Sequence, residues 1–318
     1  VIMFRDFLDS KNKLFKLVCG AGNECPQEVE RLTALYSLAG CEIFDICAKK
    51  DILLAAKKGI EISGVINNRY ICVSTGMKGD PHISKAKIDK NKCKHCYNCE
   101  AVCINKAITN CVIDEKKCIG CGKCIQFCHY NAISSYDTDI DLNVVLPELV
   151  KEGIDCIEFH ATSEFDNDID EKWSIINNNF DGVLSICIDR LNLGNKQVLE
   201  RIKRMIKSRK PYSTIIQADG IPMSGCDDEY KTTLQAVAMA EIIQDAKLPV
   251  YILISGGTNS KTAHLAQMCG IDYKGIAIGS YARKIVKPYI ERKDFYSNKE
   301  IFNKALNIAK ELVEKSLN

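Results

Sequence analysis

Eight cysteines between positions 93 and 128 fall in two runs of identical spacing, Cys93-x2-Cys96-x2-Cys99-x3-Cys103 and Cys118-x2-Cys121-x2-Cys124-x3-Cys128. This is the bacterial two-cluster ferredoxin pattern, written twice. Three thiolates on a tight loop grip three irons of a cube, and the fourth corner needs a ligand from elsewhere. In that pattern the fourth Cys of each run serves the other cluster. The spacing therefore predicts one [4Fe-4S] cluster on Cys93, Cys96, Cys99 and Cys128, and a second on Cys118, Cys121, Cys124 and Cys103. Zinc and disulfides are the competing uses of so many thiols. Zinc sites take four ligands, commonly as separated pairs, which two such runs do not match. The usual proline after the fourth Cys is Ile104 in the first run and His129 in the second. Those positions shape the chain but bind no iron.

The rest of the composition agrees with metal. The chain has 318 residues, 18 cysteines, a net charge of +2 and 46% hydrophobic residues, enough for a proper core and too apolar for a disordered chain. No stretch approaches the length of a membrane span. The start, Val1–Asp9, carries acids and no basic flank, so no secretory signal is expected. The expected location is cytoplasmic, where thiols stay reduced and many cysteines mean metal before disulfides.

The elements that must position these residues alternate. Strand-length apolar runs lie at Leu14–Cys19, Glu42–Cys47, Arg69–Ser74, Asp155–His160, Gly182–Ile188, Tyr212–Gln217, Val250–Ile254 and Tyr273–Ile278. Helix-like segments separate them: Pro26–Leu38, Asp51–Lys58, Leu142–Glu152, Asp170–Asn178, Lys196–Ser208, Thr232–Ala246 and Lys261–Met268, then Ala282–Ile290 and Lys299–Leu317. Eight such units in this length predict an α/β fold, a (βα)8 TIM-type barrel, over the alternative of an open doubly wound sheet. The cysteine block interrupts the third unit. The expected division is a barrel from residues 1–84 and 136–318, with a ferredoxin-type two-cluster insertion at 85–135 after strand three. A loop following a barrel strand emerges at the C-terminal face, where barrel enzymes keep their sites.

The insertion carries nine Lys against four acids and no Arg. Such a surface can steer an acidic electron carrier as redox partner, or its lysines merely offset the charge of the clusters. Nucleic acid is not expected. At the predicted mouth, the loops after strands seven and eight contain Ser255, Gly256, Gly257 and Thr258, then Gly279 and Ser280. Loops at those places often cradle phosphate, so a phosphorylated small molecule or FMN would fit; a plain tight turn with a helix cap is the alternative. Glu158 and His160, two apart on one strand face, could act as acid and base with Asp219 nearby, or form a buried hydrogen-bonded pair. Of the remaining cysteines, Cys41, Cys72, Cys156 and Cys269 read as small core residues. Cys19, Cys47, Cys187 and Cys226 sit near strand ends as candidate redox thiols. Cys25 and Cys111 carry no signal.

Several segments resemble the LdpA (light-dependent period) family: Phe15–Ala21, Ile216–Gly225, Leu234–Ala238, Ser255–Ser260 and Ala277–Val286. The resemblance covers most of the chain. It implies a two-cluster iron–sulfur protein linked to sensing cellular redox state, a role that in cyanobacteria feeds light-dependent redox information to the circadian clock. The expected function is electron transfer or redox sensing. The alternative is an oxidoreductase whose clusters deliver electrons to a flavin or phosphorylated substrate at the barrel mouth.

Overall fold

The structure is a computed structural model that describes residues 3–20, 22–77, 80, 83–138, 140–163, 165–221 and 227–318. Its first elements are α1 (Phe4–Leu8), β1 (Leu14–Val18), α2 (Pro26–Ala39), β2 (Ile43–Cys47), α3 (Lys50–Ser63) and β3 (Tyr70–Gly76). There follow β4 (Ser84–Ile88), α4 (Asn98–Ala101), β5 (Ile108–Thr109), β6 (Val112–Ile113), α5 (Lys123–Gln126) and β7 (Ile133–Asp137). Then come α6 (Leu142–Glu152), β8 (Cys156–His160), α7 (Asp166–Asn179), β9 (Val183–Ile188), α8 (Asn195–Ile206) and β10 (Thr214–Asp219). The chain ends with α9 (Tyr230–Asp245), β11 (Tyr251–Ser255), α10 (Thr262–Met268), β12 (Gly275–Ile278), α11 (Ser280–Ile290) and α12 (Lys299–Leu317).

Eight parallel strands close a barrel in the order β1-β2-β3-β8-β9-β10-β11-β12, with β12 returning to β1. Each of the eight predicted strands is present. The sixth begins two residues late and ends two residues late. Tyr212 has a left-handed φ of 54° in the turn before it, so the strand starts only at Thr214 and its end carries Asp219. Helices stop where the chain needs a left-handed residue, as at Gly40 with φ 100° and Gly153 with φ 85°.

Side chains alternate across the barrel wall. Phe15, Leu17, Phe44, Ile157, Phe159, Ile186 and Ile216 face outward and form one core with the helices. Fully burying a side chain of this size is worth about 1.5–3 kcal/mol. The inward face is apolar only at the N-terminal end. There Leu14, Ile43, Tyr70, Cys156, Val183 and Ile215 form a separate cluster, closed below by Phe4 and Leu8 of α1. This plug helix has no counterpart among the expected elements, because five residues are too few for a periodic signal. Higher in the lumen stand the buried polar residues Lys16, Asp45, Ser74, Glu158, Ser185 and Gln217.

Between β3 and β8 the chain leaves the barrel. β4 pairs antiparallel with β7 and β5 with β6. This segment rests on the barrel through Lys85, whose side chain is 2% exposed. Its Nζ donates to the carbonyls of Gly22 and Cys118 and pairs with Glu24 at 2.9 Å. Lys106 pairs with Glu291 at 3.0 Å, and Lys287 donates to the carbonyl of Ile104. Among the described residues no helix is long and apolar enough to cross a membrane.

Candidate functional site

The eight cysteines of the two runs converge on two cavities. One, of about 20 Å³, is lined by Cys93, Cys96, Cys99 and Cys128. The other, of about 410 Å³, is lined by Cys103, Cys118, Cys121 and Cys124. Each four-residue set combines three cysteines of one run with the last of the other. The local backbone explains the convergence. Gly120 and Gly122 adopt φ 67° and 70°, turning the second run tightly before α5. In the first run the equivalent bends fall on His95 and Tyr97, at φ 52° and 60°. The last cysteine of each run accepts a backbone N–H four residues on: Ala107 N to Cys103 Sγ at 3.2 Å and Ala132 N to Cys128 Sγ at 3.3 Å. Amide donors aimed at sulfur favour a thiolate and suit an iron–sulfur cluster. Cys96 is exposed and Cys99 and Cys124 are buried, so the first set presents one edge to solvent.

The larger cavity runs on from its cysteines to Ser280, Arg283, Lys284 and Lys287 of α11. Arg283 is buried and donates to the Val18 carbonyl, tying α11 to the end of β1. Gly279 packs against Val18, where an added Cβ would come within 3.2 Å. Ser255, Gly256, Gly257 and Thr258 have other neighbours. Ser255 accepts the Gly220 N–H at 2.9 Å, and Gly256 and Gly257 both have positive φ, 73° and 78°. Thr258 Oγ1 donates to the Ala277 carbonyl. Asn259 Nδ2 donates to the carbonyls of Asp227 and Glu229, anchoring the start of α9. The Thr258 and Asn259 side chains are thus engaged within the protein.

The lumen above the apolar base is a charged network. Lys16 Nζ lies 2.7 Å from Asp45 and 2.6 Å from Glu158, and it donates to Gln217 Oε1 at 2.8 Å. Ser74 donates to Asp45. Glu158 also accepts from Ser185 at 2.7 Å and Gln217 at 2.9 Å, so its carboxylate is saturated. Burial opposes the charge on Lys16, but Asp45 and Glu158 outweigh it and hold the amine well above its ordinary value. Burial likewise opposes the charge on Glu158, and Lys16 and His160 override it, keeping the carboxyl below its usual range. The ammonium stands where Asp45 and Glu158, with Cys72 beside them, could otherwise hold a metal.

Higher still, His160 sits 3.4 Å from both Asp80 and Glu158. Burial disfavours its charge, yet Cys187 and Asp80 carry it well above the ordinary histidine value. Cys187 donates to Asp219 Oδ2 at 3.3 Å, while Asp219 Oδ1 is buried without a partner among the described residues. Burial pushes Asp219 up to about 6. Of Glu158, His160 and Asp219, Asp219 lines an open cavity of about 330 Å³, with Arg190, Asn195 and Gln235.

The remaining cysteines divide differently from expectation at one point. Cys41, Cys72 and Cys156 are buried, but Cys269 is exposed, because α10 ends before it on the outer surface. Cys19, Cys47 and Cys187 are all buried, and burial raises each thiol, Cys47 to about 12. A protonated thiol is a poor nucleophile. Cys226 lies outside the described residues. Lys16 was missed in the sequence because it interrupts an otherwise apolar strand like any surface lysine, and Lys85 because it shares the short strand Ser84–Ile88 with a second lysine, Lys87. Only the two-residue phase of Lys16 with Leu14 hinted at burial.

Residues 148–315, more than half of the chain, match the light dependent period A C-terminal domain family. The chain belongs to that family. Residues 112–133 also match a 4Fe-4S binding domain. Light dependent period A of Synechococcus elongatus is 27% identical over 316 residues, spanning 94% of this chain and 90% of the relative. Solved structures similar to this light dependent period A family member include tryptophan synthase from M. tuberculosis, at 11% identity and TM-score 0.49, covering 99% of this chain and 96% of that one. The tryptophan synthase alpha chain of Legionella pneumophila is 9% identical with TM-score 0.49, covering 99% and 97%.

Proposed function

We propose that this member of the light dependent period A family carries two [4Fe-4S] clusters and exchanges electrons with a partner to report redox state. The observation that carries the reading is the pair of cavities, each lined by one crossed set of four cysteines. Cys93, Cys96, Cys99 and Cys128 would bind the first cluster, and Cys103, Cys118, Cys121 and Cys124 the second. The clusters supply one-electron chemistry. The protein supplies amide donors to sulfur, a small apolar core of Ala86, Ile108 and Ile133, and a docked position beside the barrel. The ferredoxin-type unit of this reading is 85–135, and the barrel is 1–84 with 136–318.

The exposed edge at Cys96 lies on the same stretch as the exposed Lys90, Lys92 and Lys94, which suits an acidic electron carrier. Anaerobic purification followed by iron and sulfide analysis tests the reading. About eight irons and eight sulfides per chain are expected, four from each cluster. A chain that takes up zinc instead, with no visible charge-transfer absorbance, would refute it.

A second reading has its own observation. The 410 Å³ cavity reaches from the second cysteine set to Ser280 and the basic residues of α11. A flavin such as FMN, or another phosphate-bearing molecule, bound there would make the protein an oxidoreductase. Gly279 and Ser280 would meet its phosphate; Ser255, Gly256, Gly257 and Thr258 would contribute from the neighbouring loop. Glu158, His160 and Asp219 would then hold and move protons at the mouth. Mass spectrometry of small molecules released from the anaerobic protein decides this, and a ligand-free preparation would remove it.

A further inference from the structure

The cavity of the first cysteine set has a fifth cysteine in its wall. Cys111 lines it together with Cys93, Cys96, Cys99 and Cys128. Its Sγ, the Cys93 Sγ and a ring nitrogen of His95 all lie within 4.8 Å of one another. The cavity of the second set is lined by its four cysteines and, among the described residues, has no fifth.

The placement of Cys111 is unusual for its element. Thr109 pairs with Val112, so Asn110 and Cys111 form a two-residue hairpin loop. Both have left-handed φ, 51° and 56°, as a type I′ turn requires. The second of those positions favours glycine, and here it carries a side chain. Asn110 and Val112 on either side are exposed, whereas Cys111 is buried. Its N–H donates to Glu100 Oε1 at 2.8 Å, which ties the turn to α4 and aims the thiol inward.

We propose that Cys111 is a fifth thiolate donor of the first cluster site, able to take the iron corner of Cys93. The inference rests on the two-cluster reading above. In the exchange an iron–sulfur bond to Cys93 breaks as one to Cys111 forms. Cys111 gives up its thiol proton, and Cys93 takes one up. The number of irons, sulfides and electrons in the cluster is unchanged, so the step needs no oxidant or reductant. Two arrangements of equal composition result, which differ in whether the β5–β6 turn is bound to the cluster.

Full-length protein prepared anaerobically tests this by iron and sulfide content and by the EPR spectrum after reduction. Wild type and Cys111→Ala should each hold about eight irons, and so should Cys93→Ala, because Cys111 replaces the lost ligand. Cys96→Ala and the double variant Cys93→Ala/Cys111→Ala should fall to about four, the second cluster reporting that the segment still folds. If Cys93→Ala alone falls to about four or fewer, the inference is overturned. It is equally overturned if the double variant keeps about eight, since the replacement donor would then be His95 or water. A wild type with four irons or fewer would instead remove the two-cluster reading itself.

Discussion

Lys16 lies between two buried carboxylates, Asp45 and Glu158, and pairs with both. Removing one member of a buried ion pair typically costs about 3–5 kcal/mol, because the other charge is left without a partner. Lys16→Met is therefore expected to lower stability by about that amount in denaturant titration at neutral pH. Adding Glu158→Gln in the same chain should recover part of it, since fewer charges remain unpaired. Asp219 has the opposite character. Its carboxyl is pushed up to about 6 by burial, and one oxygen lacks a partner among the described residues. Between the ordinary value and 6, the folded state holds a proton that the unfolded state has lost, so stability falls as pH rises through that window. Asp219→Asn should converge on wild type as pH falls to about 3, below the ordinary carboxylate value, and exceed it at pH 7.5 by about 2–3 kcal/mol. Equal melting temperatures at pH 7.5 would show that Asp219 is not strained by its burial.

At the scale of elements, two contacts decide how the segments sit. Lys85 on β4 reaches the loop after β1 and the start of the second cysteine run. Lys85→Met should leave Glu24 with only the partly exposed Lys49 and loosen the segment, seen as faster hydrogen exchange across residues 84–137 with the barrel strands unchanged. Gly256 presses on the strand β10 end. A Cβ there would stand 1.5 Å from Asp219 Oδ1 and 2.5 Å from Gly220 N, at a φ already left-handed. Gly256→Ala should destabilise by roughly 2–4 kcal/mol, measured as a shifted denaturation midpoint. The alternation of eight strands with helices was legible in the chain because it is a local, periodic signal. The two-residue shift of β10 was not, because Tyr212 gives no composition signal for its left-handed turn.

For the whole molecule, the barrel and the cysteine-rich segment have separate apolar cores, and they differ greatly in size. The segment's core has five buried residues, two of them, Cys99 and Cys124, from the cysteine runs. Under the proposed two-cluster reading so small a core depends on metal, whereas the barrel core does not. Chelation of iron should abolish exchange protection across residues 84–137 and leave the barrel's thermal transition in place. A single cooperative loss of both would contradict this separation. The lysines of the segment should matter at the same scale. Replacing Lys90, Lys92 and Lys94 together by Glu should slow reduction by an acidic carrier about tenfold or more at low salt, and far less at high salt.

The chain by itself determined the two cysteine runs and the eight strand–helix units. Ligand spacing and hydrophobic period are written within a few residues. Only the closed barrel decided that Lys16 meets Gln217, 201 positions away, and Glu158, 142 positions away. Only the folded hairpin decided that Cys111, silent in the sequence, faces Cys93. Ring closure and turn geometry bring such residues together, and neither leaves a local mark.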